Sequence, residues 1–336
     1  MIPFFQGAAG GAPVVSQVFA ASTWTGNGGV QTVTTGVDLS TLGGLAWLKC
    51  RDFGNNGGIL AYHVLYDTLR TGSPLPALSS DLTDAESVFN DNATTGELAS
   101  FGTTGLNINR SRNATNYVGW SFARAARFFD VVTWTGNGTA GRQIPHNLGV
   151  APGLIIVKSR SDPETWRVYH RSLGNANTLI LQATDAADTL NPSFNSTDPT
   201  ASVFTLGSGN QVNGTGKTYV AYLFAHDTAS DGIVQCGSYT GNGSATGPTV
   251  TLGWRPQFLM AKRSAGGTGD WYLFDNQRSP SNTRNDLLRA NTSDAESVDS
   301  GISVDFNLTG FQITSSNANI NASGNDYVYL AIREAA

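Results

Sequence analysis

The residues best suited to chemistry in this chain are carboxylates that recur in a short acidic block. Asp84 precedes Glu86 by two residues, and Asp294 precedes Glu296 in the same way. Two carboxylates can act as acid and base on a glycosidic bond, and carboxylate oxygens also bind calcium. A third interpretation is a turn in which the Asp side chain accepts a hydrogen bond from its own backbone. A related block at 184–188 favours the turn, and calcium binding and catalysis stay open as alternatives.

A second group of candidates stands at the end of a predicted strand. An aromatic residue and then Asp or His occur with an arginine nearby, and the pairs are Tyr66-Asp67, Tyr169-His170 and Phe274-Asp275. The arginines are Arg70, Arg171 and Arg278. Aromatic faces beside charged groups bind sugars by stacking and by hydrogen bonds to hydroxyls. The alternative is an Asp–Arg pair at a strand end beside an aromatic residue of the core. The sequence therefore predicts either a glycan site or a structural pair.

Other catalytic and metal-binding patterns are missing from the sequence. The histidines occupy unrelated positions, and none pairs with Cys or another His at ligand spacing. There is no G-x-S-x-G segment, no phosphate-binding loop and no H-E-x-x-H segment. We therefore predict a protein that is not an enzyme and has no cofactor. Its weak calcium candidates are the four acidic residues named above.

The candidates recur because the chain repeats itself at a spacing of roughly 105 residues. Each copy begins with an aromatic residue followed by Thr-Gly-Asn-Gly, and these residues are Trp24, Trp134 and Tyr239. We expect them to anchor the chain to the fold, with stacking on a sugar as the alternative. An apolar run follows in each copy and ends in a lysine that we expect to reach water. These lysines are Lys49, Lys158 and Lys262.

The repeat predicts an all-β fold. Its closing segments are rich in β-branched and aromatic residues, and no long stretch has helical periodicity with capping signals. A repeat of about 105 residues has the size of a β-sandwich or jelly roll. We predict three tandem, rigidly packed, jelly-roll-like β-sandwiches at 17–126, 127–230 and 231–336, after an N-terminal arm at 1–16. The recurring Asn-Gly predicts a tight hairpin that opens each sandwich.

Composition narrows the classes of partner. Charged residues make up only 13% of the chain, and the net charge of -5 comes without a Lys/Arg cluster, which argues against nucleic-acid binding. The sequence contains no window of 18 consecutive apolar residues, so we expect no insertion into a membrane. Cys50 and Cys236 occupy non-equivalent positions in the repeat, so we expect free, partly buried thiols in a reducing compartment.

The repeat resembles a domain that recurs in virion proteins of tailed bacteriophages, which are usually labelled tail or tail-fibre proteins. The resemblance rests on the segments at 129–138, 144–149, 152–158 and 219–227. It covers nearly the whole chain after residue 16. Copy one departs most, because it lacks the Ile-Pro-His-Asn-Leu-Gly stretch and has an insertion at 55–59.

The resemblance implies a non-enzymatic structural protein of the virion, made in the host cytoplasm and assembled on the phage particle. A tail-associated fibre or baseplate component, active in assembly or host attachment, is the expected role. A head decoration or neck-fibre protein is one alternative, a host-glycan-binding lectin another, and a capsule depolymerase a third. Expected partners are other virion proteins and copies of the chain itself, for example in a trimer. The N-terminal arm, with Ile2, Pro3, Phe4 and Phe5, would dock on the particle.

Overall fold

The computed structural model describes residues 11–52, 62–87, 98–109, 114–189 and 193–336. Within these ranges the chain is nearly all β, and each α-helix is a segment of four residues. The all-β prediction is therefore confirmed. No helix in this part of the chain has the length and apolar character needed to cross a membrane. The predicted arm residues 2–5 and the insertion at 55–59 lie outside the described residues.

Copy one forms two antiparallel sheets. Its strands are β1 (Phe19–Thr25), β2 (Gln31–Thr34), β3 (Gly44–Cys50), β4 (Val64–Asp67), β5 (Leu78–Ser79), β6 (Leu98–Phe101), β7 (Gly105–Ile108) and β8 (Asn116–Ala123). The larger sheet has the order β1-β8-β3-β4-β5 and the smaller sheet β2-β7-β6. The first strand thus pairs with the last, and the second with the seventh, as in a jelly roll. Its helices are α1 (Val15–Val18) and α2 (Leu39–Leu42), so the folded body already begins within the predicted arm.

Copy two repeats this arrangement with fewer strands. Its elements are β9 (Phe129–Thr135), β10 (Arg142–Pro145), β11 (Pro152–Ser159), β12 (Arg167–His170), β13 (Leu179–Ile180), β14 (Val203–Leu206), α3 (Asn210–Asn213) and β15 (Thr218–Ala225). The larger sheet has the order β13-β12-β11-β15-β9, and β10 pairs with β14 in the smaller sheet. Strands β9 and β15 are again the first and last of the copy, and they pair in antiparallel register.

Copy three has the same two sheets. Its elements are β16 (Val234–Thr240), β17 (Thr249–Thr251), β18 (Pro256–Arg263), β19 (Trp271–Asp275), β20 (Asp286–Arg289), β21 (Ser297–Val298), β22 (Val304–Asn307), β23 (Gly310–Ile313), α4 (Ala318–Asn321) and β24 (Asp326–Arg333). The sheet orders are β16-β24-β18-β19-β20-β21 and β17-β23-β22. Five strands of the larger sheet therefore have the same order in all three copies, and copy three adds a sixth strand, β21.

The Thr-Gly-Asn-Gly segment is not the hairpin that the sequence predicts. The strand before it belongs to the larger sheet and the strand after it to the smaller sheet, so the segment connects the two sheets of one sandwich. Its Asn side chain accepts a hydrogen bond from the backbone N–H two residues later, and these Asn residues are Asn27, Asn137 and Asn242. The first glycine lies against the turn before the closing strand: a Cβ on Gly136 would stand 2.1 Å from the carbonyl oxygen of Gly214. Close approach therefore requires glycine there.

The aromatic residue before this segment anchors it to the closing strand. Trp24 stacks on Tyr117 and Trp134 stacks on Tyr219, each with ring centroids 5.4 Å apart. In copy three, Tyr239 stacks on Tyr327 at 4.9 Å. Parallel stacking of this kind stabilises the pair beyond simple burial. Trp24, Trp134 and Tyr239 therefore anchor the start of each copy to its closing strand.

Both faces of the larger sheets are buried at their two central strands, which include the closing strand of each copy. Successive side chains of a strand point to opposite faces. In β24, Val328, Leu330 and Ile332 belong to a core that also includes residues of copies one and two. Tyr329 and Ala331, between them, belong to a second core with the smaller sheet of copy three. The larger sheets therefore line a core common to all three copies, and each smaller sheet covers an outer face.

The three copies close into a ring around this common core. In this core the phenyl centroid of Phe122 lies 5.4 Å from that of Phe224 and 6.2 Å from that of Phe258, so side chains of all three copies are in contact. One type of backbone hydrogen bond joins each copy to the next, and it runs from Glu86 to Arg160, from Ala187 to Ser264 and from Glu296 back to Arg51. Copy three thus contacts copy one as well as copy two. The three copies therefore form a closed body with pseudo-threefold symmetry, in which each copy contacts both of the others.

The joins between copies meet at one end of this body. Arg127, in the first join, forms ion pairs with Asp227 at 2.8 Å and Asp231 at 2.7 Å, both in the second join. Asp231 also accepts a hydrogen bond from the backbone N–H of Ala12 at 2.9 Å. A groove at this end is lined by residues from both ends of the described chain, including Pro13 and Ala336. Ala12 and Pro13 therefore lie at the end of the body where the joins and the C-terminal residues meet.

Closure of the ring predicts that one copy does not fold alone. We expect an isolated segment of residues 127–230 to lack a cooperative thermal transition, because the inner face of its larger sheet would be exposed to water. The full-length chain is the control and should unfold cooperatively. Circular dichroism in the near ultraviolet, with thermal melting, measures both. A fragment with native aromatic signals and a cooperative transition would contradict the shared core.

Candidate functional site

The predicted strand-end site is an interface between copies. In copy one, Arg70 Nε donates to Asp67 Oδ2 at 2.5 Å, and Arg70 Nη2 donates to the carbonyl oxygen of Leu65 at 2.7 Å. The hydroxyl of Tyr222, from the closing strand of copy two, donates to Asp67 Oδ2 at 2.9 Å. The side chains of Asp67 and Arg70 are fully buried. This arrangement satisfies a buried charge pair with further hydrogen bonds, as such pairs require.

Copy three repeats the arrangement and closes it onto copy one. Arg278 Nε donates to Asp275 Oδ2 at 2.6 Å, and Arg278 Nη2 donates to the carbonyl oxygen of Leu273 at 2.7 Å. Here the donor from the neighbouring closing strand is Trp120 Nε1, at 3.1 Å from Asp275 Oδ2. The Arg278 guanidinium also lies 5.7 Å from the Trp120 ring centroid, within range of a cation–π contact.

Copy two carries His170 at this position, and the neighbouring copy explains why. Strand pairing places Trp120, Tyr222 and Leu330 at the same point of the three closing strands. Leu330 has no polar hydrogen to donate, so an Asp at position 170 would lack the partner that its counterparts have. His170 Nε2 instead lies 3.0 Å from the backbone carbonyl oxygen of Tyr329 and can donate to it. Burial lowers the pKa of His170 to about 4, which keeps the imidazole neutral.

All six residues of the predicted ligand site are therefore interior: Tyr66, Asp67, Tyr169, His170, Phe274 and Asp275. None of them is more than 4% exposed. They offer no ring face to a glycan, and the alternative, a strand-end Asp–Arg pair, describes copies one and three. Arg171 is not equivalent to Arg70 and Arg278, because it follows His170 directly instead of three residues later.

The acidic block joins neighbouring copies. Glu86 accepts from Arg160 Nε of copy two at 2.9 Å, and its carboxylate also lies 3.3 Å from Arg70. In the same way, Glu296 lies 2.5 Å from Arg51 of copy one and 3.0 Å from Arg278. Each glutamate therefore links the buried Asp–Arg pair of its own copy to an arginine of the next. The sequence did not foresee this role, because it depends on contacts between copies.

The calcium and catalytic interpretations find no support in this geometry. Glu86 and Glu296 are each held by two arginines. Their companions Asp84 and Asp294 lie close enough to Lys158 and Lys49 to raise the pKa of those lysines, against the larger effect of burial. Among the described residues, no group of three or more His, Cys, Asp or Glu side chains is placed to hold a metal ion.

The lysines that end the apolar runs do not reach water, contrary to prediction. Lys49, Lys158 and Lys262 are at most 1% exposed. Their Nζ atoms donate to backbone carbonyl oxygens: that of Lys262, for example, donates to Thr184 at 3.0 Å and to Asp185 at 2.9 Å, both in copy two. Burial lowers the pKa of each of the three to about 8. A lysine at this strand end is therefore a further contact between copies in two of three cases, since Lys49 also bonds the carbonyl of Ser293.

Neither Cys50 nor Cys236 forms a disulfide, as the sequence predicts, but both are more deeply buried than the partly buried thiols expected. Burial raises the pKa of the Cys236 thiol far above its ordinary value, so the thiol is inert at neutral pH.

The chain belongs to the protein family described as a domain of unknown function, DUF7483, whose family model matches residues 14–336. The match begins just before α1 and continues through all three copies. The comparison with curated proteins found no match.

The buried ion pairs give the first stability prediction for this interface. We expect Arg278→Met to lower the free energy of unfolding by about 3–5 kcal/mol, because Asp275 would be left as a buried, uncompensated charge. Arg289→Met is the matched control: its pair with Asp270 is partly exposed, and its loss should cost about 1 kcal/mol or less. Urea denaturation measures both. Equal losses in the two variants would show that Asp275 does not depend on Arg278.

The buried lysines give a pH dependence of opposite sign to that of a lysine whose pKa is raised by an ion-pair partner. Their folded-state pKa is about 8, against an ordinary value of 10.5, so above pH 8 the unfolded chain holds more protons. The free energy of unfolding should then rise with pH, by at most roughly 1 kcal/mol per pH unit for each lysine. Lys262→Met should flatten the rise between pH 7.5 and 9, whereas Lys217→Met, at a partly exposed lysine, should preserve it. Denaturation at a series of pH values measures the slopes, and identical slopes in both variants would refute the assignment.

Proposed function

We propose that this member of the DUF7483 family is a non-enzymatic structural protein of a tailed-bacteriophage particle. Its role would be that of a tail-associated fibre or baseplate component, in assembly or host attachment. The observation that carries the proposal is the closure of three sandwiches into one pseudo-threefold body. The resemblance of the repeat to phage virion domains supports it from the sequence side.

Rigidity is the first property that fits this role. The joins between β8 and β9 and between β15 and β16 are short, and Arg127 ties them to each other through Asp227 and Asp231. Ion pairs join copy one to copies two and three, whereas a buried hydrogen bond from His170 and the common apolar core join copy two to copy three. A particle component must keep its surface loops in fixed positions, and a body without hinges does so.

Shape is the second property. A closed arrangement of three similar copies presents three related sets of loops at each end. A threefold-symmetric partner could be contacted at three similar points, in the way that symmetric assemblies repeat one interface. The proposed partners are other virion proteins and copies of the chain. A head decoration or neck-fibre protein is the alternative, and a map of intact particles would distinguish these locations.

The contacts of the candidate acidic residues also favour a structural role over catalysis. Four of the acids that the sequence offered for chemistry are paired with arginines, and these are Asp67, Glu86, Asp275 and Glu296. A depolymerase needs a groove with free carboxylates. The geometry of these residues instead matches that of a structural interface between copies.

The proposal predicts that the N-terminal residues direct assembly. We expect a chain without residues 1–10 to fold with an unchanged melting temperature, because the deletion ends before Ala12 and α1, which contact the body. It should be depleted from particles at least about tenfold, the effect of losing roughly 1.4 kcal/mol of docking energy. The test is complementation of a phage that lacks the gene, with mass spectrometry of purified particles.

Val30→Ser is the matched control, since Val30 is 73% exposed and lies far from the N-terminal segment in the sequence. This variant should enter particles normally. Particles that contain the truncated chain at wild-type level would refute the docking role of the arm. Absence of the full-length chain from particles would refute the proposed function itself.

A further inference from the structure

One surface pocket brings two charged side chains, Arg171 and Asp198, together with two polar aromatic ones, Tyr169 and His226. It has a volume of about 330 Å³, and it is lined by Ala151, Pro152, Tyr169, Arg171, Asp198 and His226. All belong to copy two or to its join with copy three. A pocket of this size lies at the lower end of the range for small-molecule sites.

Copy two differs from the other two copies in the side chain that occupies this corner. Strand pairing aligns His226 with Arg124 of copy one and Glu334 of copy three. Arg124 Nε donates to Asp130 at 2.8 Å, and Glu334 Oε1 accepts from Asn276 Nδ2 at 3.2 Å. Both counterparts are therefore engaged, whereas His226 uses only Nδ1, which accepts from the backbone N–H of Cys236 at 3.2 Å.

The arginine of this corner is also displaced. In copies one and three, an arginine three residues after the Asp is buried against it. In copy two that position is Leu173, and Arg171 is exposed instead. Within the described chain, the side chains of Arg171 and Asp198 form no hydrogen bond or ion pair. A cation and an anion are thus both available to a ligand.

The remaining polar groups suit hydroxyls. Burial raises the pKa of Tyr169 to about 12, with a further contribution from Asp198, so its hydroxyl stays protonated. Burial lowers the pKa of His226, and Arg171 lowers it further, so the imidazole is neutral at pH 7. The phenol of Tyr169 can both donate to and accept from a sugar hydroxyl, and His226, whose Nδ1 already accepts from Cys236, can donate from Nε2. The Tyr169 ring itself packs against Phe194, with centroids 5.6 Å apart, which holds it in place.

We propose that this pocket binds one monosaccharide residue that carries a carboxylate, such as a hexuronic acid. Arg171 would pair with the carboxylate, and Asp198, Tyr169 and His226 would bind hydroxyls. An inorganic phosphate fits less well, because the pocket offers a single cation and phosphate sites normally combine several charged or backbone donors. This inference does not depend on the proposed virion role.

The test is isothermal titration calorimetry, supported by saturation-transfer NMR, of the full-length protein with glucuronic acid, glucose and inorganic phosphate. We expect saturable millimolar binding of glucuronic acid and at least about tenfold weaker binding of glucose, the effect of losing one charge-assisted hydrogen bond. Arg171→Gln should reduce glucuronic acid binding to the level of glucose, without a change in melting temperature. Asp198→Asn should weaken both sugars.

Arg255→Gln is the matched control. Arg255 precedes Pro256, which strand pairing aligns with Pro152 of the pocket, and its side chain is 40% exposed. This variant should bind glucuronic acid like the wild type. Three results would overturn the proposal: no saturation by glucuronic acid at about 50 mM, equal binding by wild type and Arg171→Gln, or tighter binding of phosphate than of the sugar acid.

Discussion

The structure depends on covering both faces of each larger sheet with apolar surface. A sandwich has one smaller sheet to cover one face, and the other face carries residues such as Tyr222, Phe224 and Leu330. Exposure of this much apolar surface to water is unfavourable, so each copy must bury that face against the other two copies. Ring closure solves this for all three copies at once, since it leaves no terminal copy with an uncovered face.

Apolar burial alone does not fix how three similar copies meet, and the polar residues within the interface supply that register. Asp67, Asp275 and His170 each meet a closing strand of the next copy through one hydrogen bond. A shift of one residue between copies would leave a buried hydrogen-bonding group without its partner from the neighbouring strand, which costs free energy. The interface therefore gains specificity from residues that add little net stability when they are correctly paired.

The sequence predicted those features that each copy determines by itself. The all-β class and the anchoring aromatic residues follow from composition and from a pattern within one copy. The wrong predictions for the lysines and for Thr-Gly-Asn-Gly concern contacts with a neighbouring copy or with the other sheet. Lys262 was expected in water because an apolar run ends there, but the carbonyl oxygens that receive its Nζ belong to copy two. Thr-Gly-Asn-Gly was read as a hairpin because the pattern does not show that the next strand belongs to another sheet. Sequence periodicity reports burial, not the identity of the covering surface.

A repeat that closes on itself also determines where the copies are free to differ. A change at an interface position must be matched in the neighbour, and His170 shows this, because it replaces an Asp where the facing residue is Leu330. The substitution removed the need for a buried arginine in copy two, and the arginine there, Arg171, lies on the surface beside His226 and Asp198. A structural accommodation to one neighbour thus left unpaired polar groups at a corner that the other two copies fill. Binding chemistry in such a protein is expected where the pseudo-symmetry is broken, since the symmetric positions are already committed to holding the ring together.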